Sequence, residues 1–412
     1  MSKKRLIAIS LLFFLSISLK SFAGEGHKEE GIRALIRGDY KQAISELEIA
    51  FYEDRDKEIE RYLLMAYNKY AFKLAREGKI EKAIDTLEEG LRIRKSLLLI
   101  KNLSTLCINQ GYNDLQRKRY KEARKVLKRA LSYNKEDAQI FALLGEANYN
   151  LQRIKEAKEC WEKALELDPS QEWVKKRLNK LLQEMRIEQK MQMVSNYHFE
   201  IHYAKQIIKN KEYRIRDYLE KAYREVGQDF HYFPRYKTVV LIYPREDYKR
   251  LIKIGSLGVY DGKIRICEDA LDLEEKRLQA ILKHEYTHVL IYDLAGGKCP
   301  IWLNEGLAQY EEYKDGLSPL NTFYSALKQR KDKLFSLQKL DRAFSSSLPS
   351  VIEQAYQQAY CFTVYLIERY GLWRVRKVLE KLKQGKKIEE AFQEVFYWRL
   401  EQIEKEWREE KI

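Results

Sequence analysis

The first half of the chain repeats one pattern of apolar and polar positions at helical spacing. A short turn leads to an alanine, a large apolar residue follows four positions later, and a second small residue follows after seven. Because residues four and seven apart share one face of a helix, each copy predicts a helix packed closely on a neighbour. The four copies begin at residues 38, 78, 118 and 152, and their alanines are Ala43, Ala83, Ala123 and Ala157.

The spacing of the copies identifies the type of repeat. Successive alanines are 40, 40 and 34 residues apart, and the last copy ends at Pro169, which stops a helix. Paired helices with a 34-residue period resemble tetratricopeptide repeats. The resemblance implies an all-α solenoid over residues 24–192, closed by a capping helix, with a face that binds a protein partner.

Near Ser195 the helical spacing gives way to alternation of apolar and polar residues, which is typical of strands. Strands placed before a run of helices predict an α+β lobe over residues 195–412, with a small sheet beside a central helix. Strands are predicted at 197–203 and 238–243, and residues 258–266 are predicted to form a turn that leads into a third strand. Helices are predicted at 214–226 and 245–252.

Two segments of this lobe carry the candidate chemistry. His284 and His288 are four residues apart, so a helix would present both imidazoles on one face. Glu305 follows in a second predicted helix. Two imidazoles and one carboxylate around a tetrahedral zinc leave a fourth position open, which is the catalytic arrangement, and Glu285 is placed to act as general base. The segments predict one zinc ion per chain; the alternative is a relic that binds no metal.

His284-Glu285-Tyr286-Thr287-His288 and Trp302-Leu303-Asn304-Glu305-Gly306 resemble the gluzincin peptidases, in particular the peptidase MA-like family, over about residues 195 to 370. The resemblance implies a thermolysin-like fold. It also implies zinc ligation by the two histidines and Glu305, with Glu285 as base and proton shuttle.

A third segment, beginning at Tyr356, is similar to a helix of the related aminopeptidases. The resemblance implies that Tyr356 donates a hydrogen bond to the oxyanion, and Tyr360 is the alternative. Those relatives bind the substrate's free amine through a glutamate, which the comparable residues 258–262 lack. An endopeptidase is therefore favoured over an aminopeptidase, with an edge strand at 262–267 that pairs with an extended peptide substrate.

The amino-terminal residues 1–23 predict a secretory signal. Lys3, Lys4 and Arg5 precede an apolar stretch from Leu6 to Leu19, and small residues follow at the cleavage positions. We therefore expect an exported protein, periplasmic or secreted, and the alternative is an uncleaved membrane anchor. Contact with a membrane is expected only if this segment is retained.

The composition limits the classes of partner that we expect for this chain. The chain has 412 residues, 45% of them hydrophobic, and only 6 prolines, which indicates folded and mainly helical domains. The net charge of +15 comes from basic residues interspersed with acidic ones, without a basic and aromatic cluster, so no nucleic-acid partner is expected. The chain has five cysteines, and the sequence does not decide whether Cys267 and Cys299 form a disulfide bond.

Together these patterns predict an exported zinc peptidase whose solenoid binds a partner or substrate. Two alternatives use the same residues differently. One is a scaffold that binds zinc without cutting, and the other is an assembly factor of the cell envelope in which the repeats do the main work.

Overall fold

A computed structural model describes residues 25–117, 119–205, 211–252 and 256–412. The predicted signal at 1–23 lies outside the described residues, as does Lys118 of the third repeat. The chain divides into two compact units, one ending at Lys175 and the other covering Lys176–Ile412. None of the described helices combines the length and the apolar character needed to cross a bilayer.

The first unit consists of antiparallel helix pairs, as the repeat pattern predicts. A Cβ atom on Gly31 would lie 2.6 Å from Cγ of Leu47, and one on Gly111 would lie 2.7 Å from Cγ of Leu127. The predicted close packing of each repeat helix on a neighbour is therefore confirmed. The helices are α1 (25–37), α2 (Tyr40–Glu53), α3 (Lys57–Arg76), α4 (Ile80–Ile93), α5 (Leu97–Gln116), α6 (Tyr120–Tyr133), α7 (Ala138–Asn150) and α8 (Ile154–Leu167).

A five-stranded sheet begins the second unit, after helix α9 (Glu172–Glu188). The strand order is β1-β2-β3-β5-β4; β2, β3 and β5 are parallel, and the two outer strands run antiparallel to their neighbours. The buried guanidinium of Arg265 on β5 binds Glu188 at 3.4 Å, which ties the end of α9 to the sheet. The strands are β1 (Met191–Ser195), β2 (Phe199–Ala204), β3 (Thr238–Tyr243), β4 (Gly258–Tyr260) and β5 (Ile264–Cys267).

The edge strand differs from the sequence prediction. The prediction placed it at 262–267, but β5 lies inside the sheet between β3 and β4. A turn through Asp261, Gly262 and Lys263 folds β4 back onto β5, and Gly262 adopts the positive φ of +101° that this turn needs. The strand at this edge of the sheet is therefore β4, and β1 lies at the opposite edge.

Helices fill the rest of the second unit around α12, which is buried beyond its exposed first turn and packs against α10, α13, α17 and β4. The five cysteines carry free thiols, so the bridge left open between Cys267 and Cys299 is not formed. The helices are α10 (Glu212–Asp229), α11 (Arg245–Ile252), α12 (Glu275–Ala295), α13 (Ile301–Tyr313), α14 (Leu320–Lys328), α15 (Leu337–Ala343), α16 (Pro349–Tyr370), α17 (Leu372–Lys383), α18 (Ile388–Phe396) and α19 (Leu400–Lys411).

Candidate metal centre

Helices α12 and α13 bring the three predicted ligands together. Nε2 of His284 and Nε2 of His288 each lie 3.7 Å from Oε2 of Glu305. One ligand atom from each residue lies within 4.8 Å of the other two. Among the residues that the structure describes, no other group of three or more such side chains meets in this way.

The arrangement fits a zinc ion. Ligand bonds of about 2.0 to 2.1 Å in tetrahedral geometry separate neighbouring ligand atoms by roughly 3.3 Å. The two distances of 3.7 Å from Glu305 to the imidazoles are within a few tenths of an ångström of that value, which a small side-chain rotation supplies. Two nitrogens and one oxygen are also the donor set typical of catalytic zinc.

Gly306 explains how α13 reaches this position. A Cβ atom there would lie 2.6 Å from the backbone oxygen of Ala359 on α16 and would overlap Thr363. A residue without a side chain lets α13 lie directly against α16. The same helix α13 packs on α12, where the carboxylate of the preceding Glu305 approaches the two imidazoles.

Glu285 is buried beside the three ligands, under the edge strand. Burial raises the pKa of its carboxyl to about 8; His284 opposes that rise and Glu305 adds to it. A Cβ atom on Gly258 of β4 would lie 2.7 Å from Oε1 of Glu285. The sheet edge therefore passes directly over the predicted base, and only glycine fits at that point.

Glu312 belongs to the site, although the sequence analysis missed it. Its Oε2 lies 2.8 Å from Nδ1 of His284, and its Oε1 accepts a hydrogen bond of 2.8 Å from Nη1 of Arg277. A carboxylate at Nδ1 favours the tautomer that leaves Nε2 free to bind a metal. The available signal was spacing, because Glu312 follows Glu305 by seven residues and so shares its helix face.

Tyr356 lies among the acidic groups of the site. Burial raises the pKa of its phenol above the ordinary value, and the negative charges of Glu305, Glu285 and Glu312 raise it further. Its ring packs edge-on against Phe344, with centroids 5.0 Å apart. A phenol held in this way stays protonated and can donate a hydrogen bond.

Tyr360, the alternative donor, has a different environment. Its hydroxyl lies 2.9 Å from Oγ of Ser318, and its ring packs edge-on against Tyr313 with centroids 5.3 Å apart. Burial is the main reason that its pKa rises, and the site carboxylates are not among the leading causes. The site carboxylates therefore act on Tyr356 and not appreciably on Tyr360, and the choice of oxyanion donor stays a prediction.

The repeat unit has a groove of about 840 Å³ that could hold a partner. Asn68 and Asn102, 34 residues apart, share a hydrogen bond of 2.7 Å between α3 and α5. Three cations line the groove, Lys69, Lys73 and Arg76, and none of them forms an ion pair with a described residue. The lining combines these cations with exposed apolar side chains, Met65, Phe72 and Leu98, and includes one acidic residue, Glu77, which pairs with Lys79.

Comparison with protein families finds a match within each part of the chain. Residues 264–411 match the family model of the Peptidase MA superfamily, and residues 114–178 match that of the tetratricopeptide repeat. The first match contains the α12 histidines, Glu305 and Tyr356, and the second contains the last two repeat alanines. The chain is therefore a set of helical repeats followed by a Peptidase MA superfamily domain, as predicted.

No curated protein matches the chain. Among solved structures, the first tetratricopeptide domain of human RPAP3 is 23% identical, with 30% of this chain and 92% of that chain covered at a TM-score of 0.22. MamA from Desulfovibrio magneticus RS-1 is 22% identical; the match covers 40% of this chain and 86% of that chain, at a TM-score of 0.22. PilF from Pseudomonas aeruginosa is 24% identical; the match covers 40% of this chain and 71% of that chain, at a TM-score of 0.22.

Proposed function

We propose that this protein is an exported zinc endopeptidase with an α+β, thermolysin-like gluzincin domain. The observation that carries the proposal is the meeting of both imidazole Nε2 atoms with Oε2 of Glu305, at 3.7 Å each, beside the buried carboxylate of Glu285. The Peptidase MA superfamily match over residues 264–411 supports it.

His284, His288 and Glu305 would hold the zinc. When bound, the ion polarises the scissile carbonyl and lowers the pKa of the attacking water. Glu285 accepts a proton from that water and passes it to the leaving amine. Burial raises the pKa of Glu285, and the positive charge of a bound zinc ion would act in the opposite direction, which favours the carboxylate form that accepts the proton.

Tyr356 supports the other side of the reaction. Its phenol keeps its proton at neutral pH, because burial and the neighbouring carboxylates raise its pKa. It would donate a hydrogen bond to the oxygen of the scissile carbonyl as negative charge develops there. The proton stays on the phenol throughout, so Tyr356 stabilises charge and transfers none.

An extended peptide substrate would bind at β4. Within the described residues this strand pairs with β5 alone, so its outer edge can add a further strand. Gly258 of β4 lies against Glu285, so a peptide paired there would run past the base. Binding through backbone groups along the chain suits cleavage within a polypeptide, and β4 carries no glutamate to bind a free amine.

The repeat unit would bind a protein partner or present a substrate through the groove around Phe72. Its cations, among them Lys69 and Lys73, favour a partner segment with acidic side chains. Export to the periplasm or beyond the cell follows from the predicted signal at residues 1–23, and a membrane anchor would require that this signal be retained.

The test combines metal content and cleavage on the chain from Gly24 onward. We expect one zinc per chain and hydrolysis of denatured casein that a chelator abolishes. Glu285→Gln should keep the zinc and lose cleavage, while Glu246→Gln, at an exposed glutamate on α11, should keep both. Zinc without cleavage would point instead to the scaffold, and absence of zinc would contradict the proposal.

A further inference from the structure

The second unit exposes three aromatic side chains at one place. Trp373, at the start of α17, and Trp398, after α18, are each 51% exposed, and Tyr397 is 80% exposed. The other two tryptophans of this unit, Trp302 and Trp407, are buried in its core. Exposed aromatic side chains that gather in one place indicate a contact surface, whereas isolated ones do not.

The helix connections bring these residues to the same end of the unit. Only residues 384–387 separate α17 from α18, and the two helices pack against each other, so they run antiparallel. The start of α17 therefore lies near the end of α18. A direct contact joins the two places, because the rings of Tyr370 and Phe396 have centroids 5.0 Å apart.

The backbone at Tyr397 is itself unusual. This residue ends α18 with a φ of +61°, in the left-handed region where glycine is the common choice. A tyrosine in this conformation is uncommon, because the backbone strain costs free energy. Its occurrence here therefore suggests a role other than helix capping. Here the conformation coincides with an almost fully exposed ring.

Two cations lie against the Trp373 ring, and a third follows Trp398 in the chain. The charged groups of Arg374 and Lys377 lie 4.9 and 4.8 Å from the centre of the Trp373 ring, and Arg399 follows Trp398 directly. None of the three forms a salt bridge with a described residue. Arg369, at the end of α16, differs because Glu406 and Glu410 pair with it.

Exposed tryptophan and tyrosine beside cations that form no salt bridge with a described residue match the interface of a lipid bilayer. Amphipathic rings settle at the level of the headgroups, and basic side chains are attracted to anionic lipids. We propose that this aromatic end, defined as Trp373, Tyr397 and Trp398 with Arg374, Lys377 and Arg399, docks the protein on an anionic lipid surface.

This docking does not depend on the zinc site or on a retained signal segment. The test therefore uses the chain from Gly24 onward, without the predicted signal, and measures sedimentation with vesicles. One set contains equal parts of phosphatidylglycerol and phosphatidylcholine, and the other contains phosphatidylcholine alone. We expect binding to the anionic vesicles, weaker binding at high salt, and a blue shift of tryptophan fluorescence.

Matched variants locate the surface. Loss of both rings in Trp373→Ala/Trp398→Ala should weaken binding at least about tenfold. Trp173→Ala removes a tryptophan that is 42% exposed in the other unit and should leave binding unchanged. Arg374→Glu/Lys377→Glu keeps the rings and should weaken binding mainly at low salt, which covers the case that the double alanine variant fails to fold.

The outcomes separate clearly. Binding that the aromatic and charge-reversal variants lose, and that Trp173→Ala keeps, supports the proposal. An unmodified chain that sediments with neither vesicle overturns it, and so does an equal loss in Trp173→Ala. Chelator-sensitive cleavage of casein is measured on the same samples, so failure of the peptidase proposal is recognised independently.

Discussion

Oε2 of Glu312 lies 2.8 Å from Nδ1 of His284, on the side of the imidazole opposite Glu305. The imidazole is thereby held between two carboxylates of the same helix, seven residues apart. One of them approaches the nitrogen that would bind the metal, and the other orients the ring. The link between Arg277 and Glu312 extends this support to a second residue of α12.

Replacement of Glu312 by Gln should weaken zinc binding. The amide removes the negative charge that holds the His284 tautomer, and loss of such a partner costs roughly 10- to 100-fold in metal affinity. Competition against a chromophoric chelator measures the affinity without reference to cleavage. Glu246→Gln serves as control, and an unchanged zinc affinity in Glu312→Gln would show that Glu312 has no role in orienting the ligand.

Gly258→Ala should lower cleavage while zinc stays bound. The new Cβ would lie 2.7 Å from Oε1 of Glu285, so either the base or the edge strand must move. A displacement of about 1 Å at a reacting group costs on the order of 100-fold in rate. Cleavage of casein and zinc content are compared with Gly26→Ala, where no neighbour lies within 4 Å. Full activity in Gly258→Ala would mean that β4 does not confine Glu285.

Tyr356→Phe and Tyr360→Phe should behave differently. Loss of an oxyanion donor lowers kcat by about 100- to 1,000-fold, with little change in KM. We expect this for Tyr356, which lies beside the site carboxylates, and not for Tyr360, whose hydroxyl contacts Ser318. Steady-state kinetics on a fluorogenic peptide, with zinc content measured in parallel, decides between them. The reverse ranking would assign the oxyanion contact to Tyr360.

The parts of the site that the sequence predicted depend on local spacing. His284 and His288 could be recognised because four residues make one helical turn, whatever the rest of the fold. Glu312 was missed because its partner lies on another helix, and only the packing of α12 on α13 brings the two together. Its spacing from Glu305 shows a shared helix face without showing what that face meets.

The dependence on local spacing also explains the errors in the predicted strands. Strand β3 has a nearly continuous run of buried residues and was predicted over its full length, 238–243. Strand β1 was not predicted, because its side chains are mostly exposed and show no clear alternation. The edge was misplaced because β4 has only three residues, too few for a periodic signal, and strand order is set by tertiary pairing.

Glu311 makes stability depend on pH in the direction opposite to that of most carboxylates. Its side chain is fully buried on α13, and burial raises its pKa to about 7, although Nζ of Lys314 lies 2.7 Å from Oε2. In the unfolded chain the pKa of glutamate is about 4.3. Between these values the folded state keeps a proton that the unfolded state has released.

Stability therefore falls as pH rises through this window, by at most about 4 kcal/mol from this residue. Glu311→Gln removes the titration, so its free energy of unfolding relative to the unmodified chain should rise from pH 5 to pH 8. Urea unfolding in the presence of a chelator measures the difference without a contribution from metal binding. Glu136→Gln, at an exposed glutamate in the repeat unit, should show a constant difference. If Glu311→Gln also shows a constant difference, the carboxylate of Glu311 is charged in the folded protein throughout this range, and Lys314 outweighs its burial.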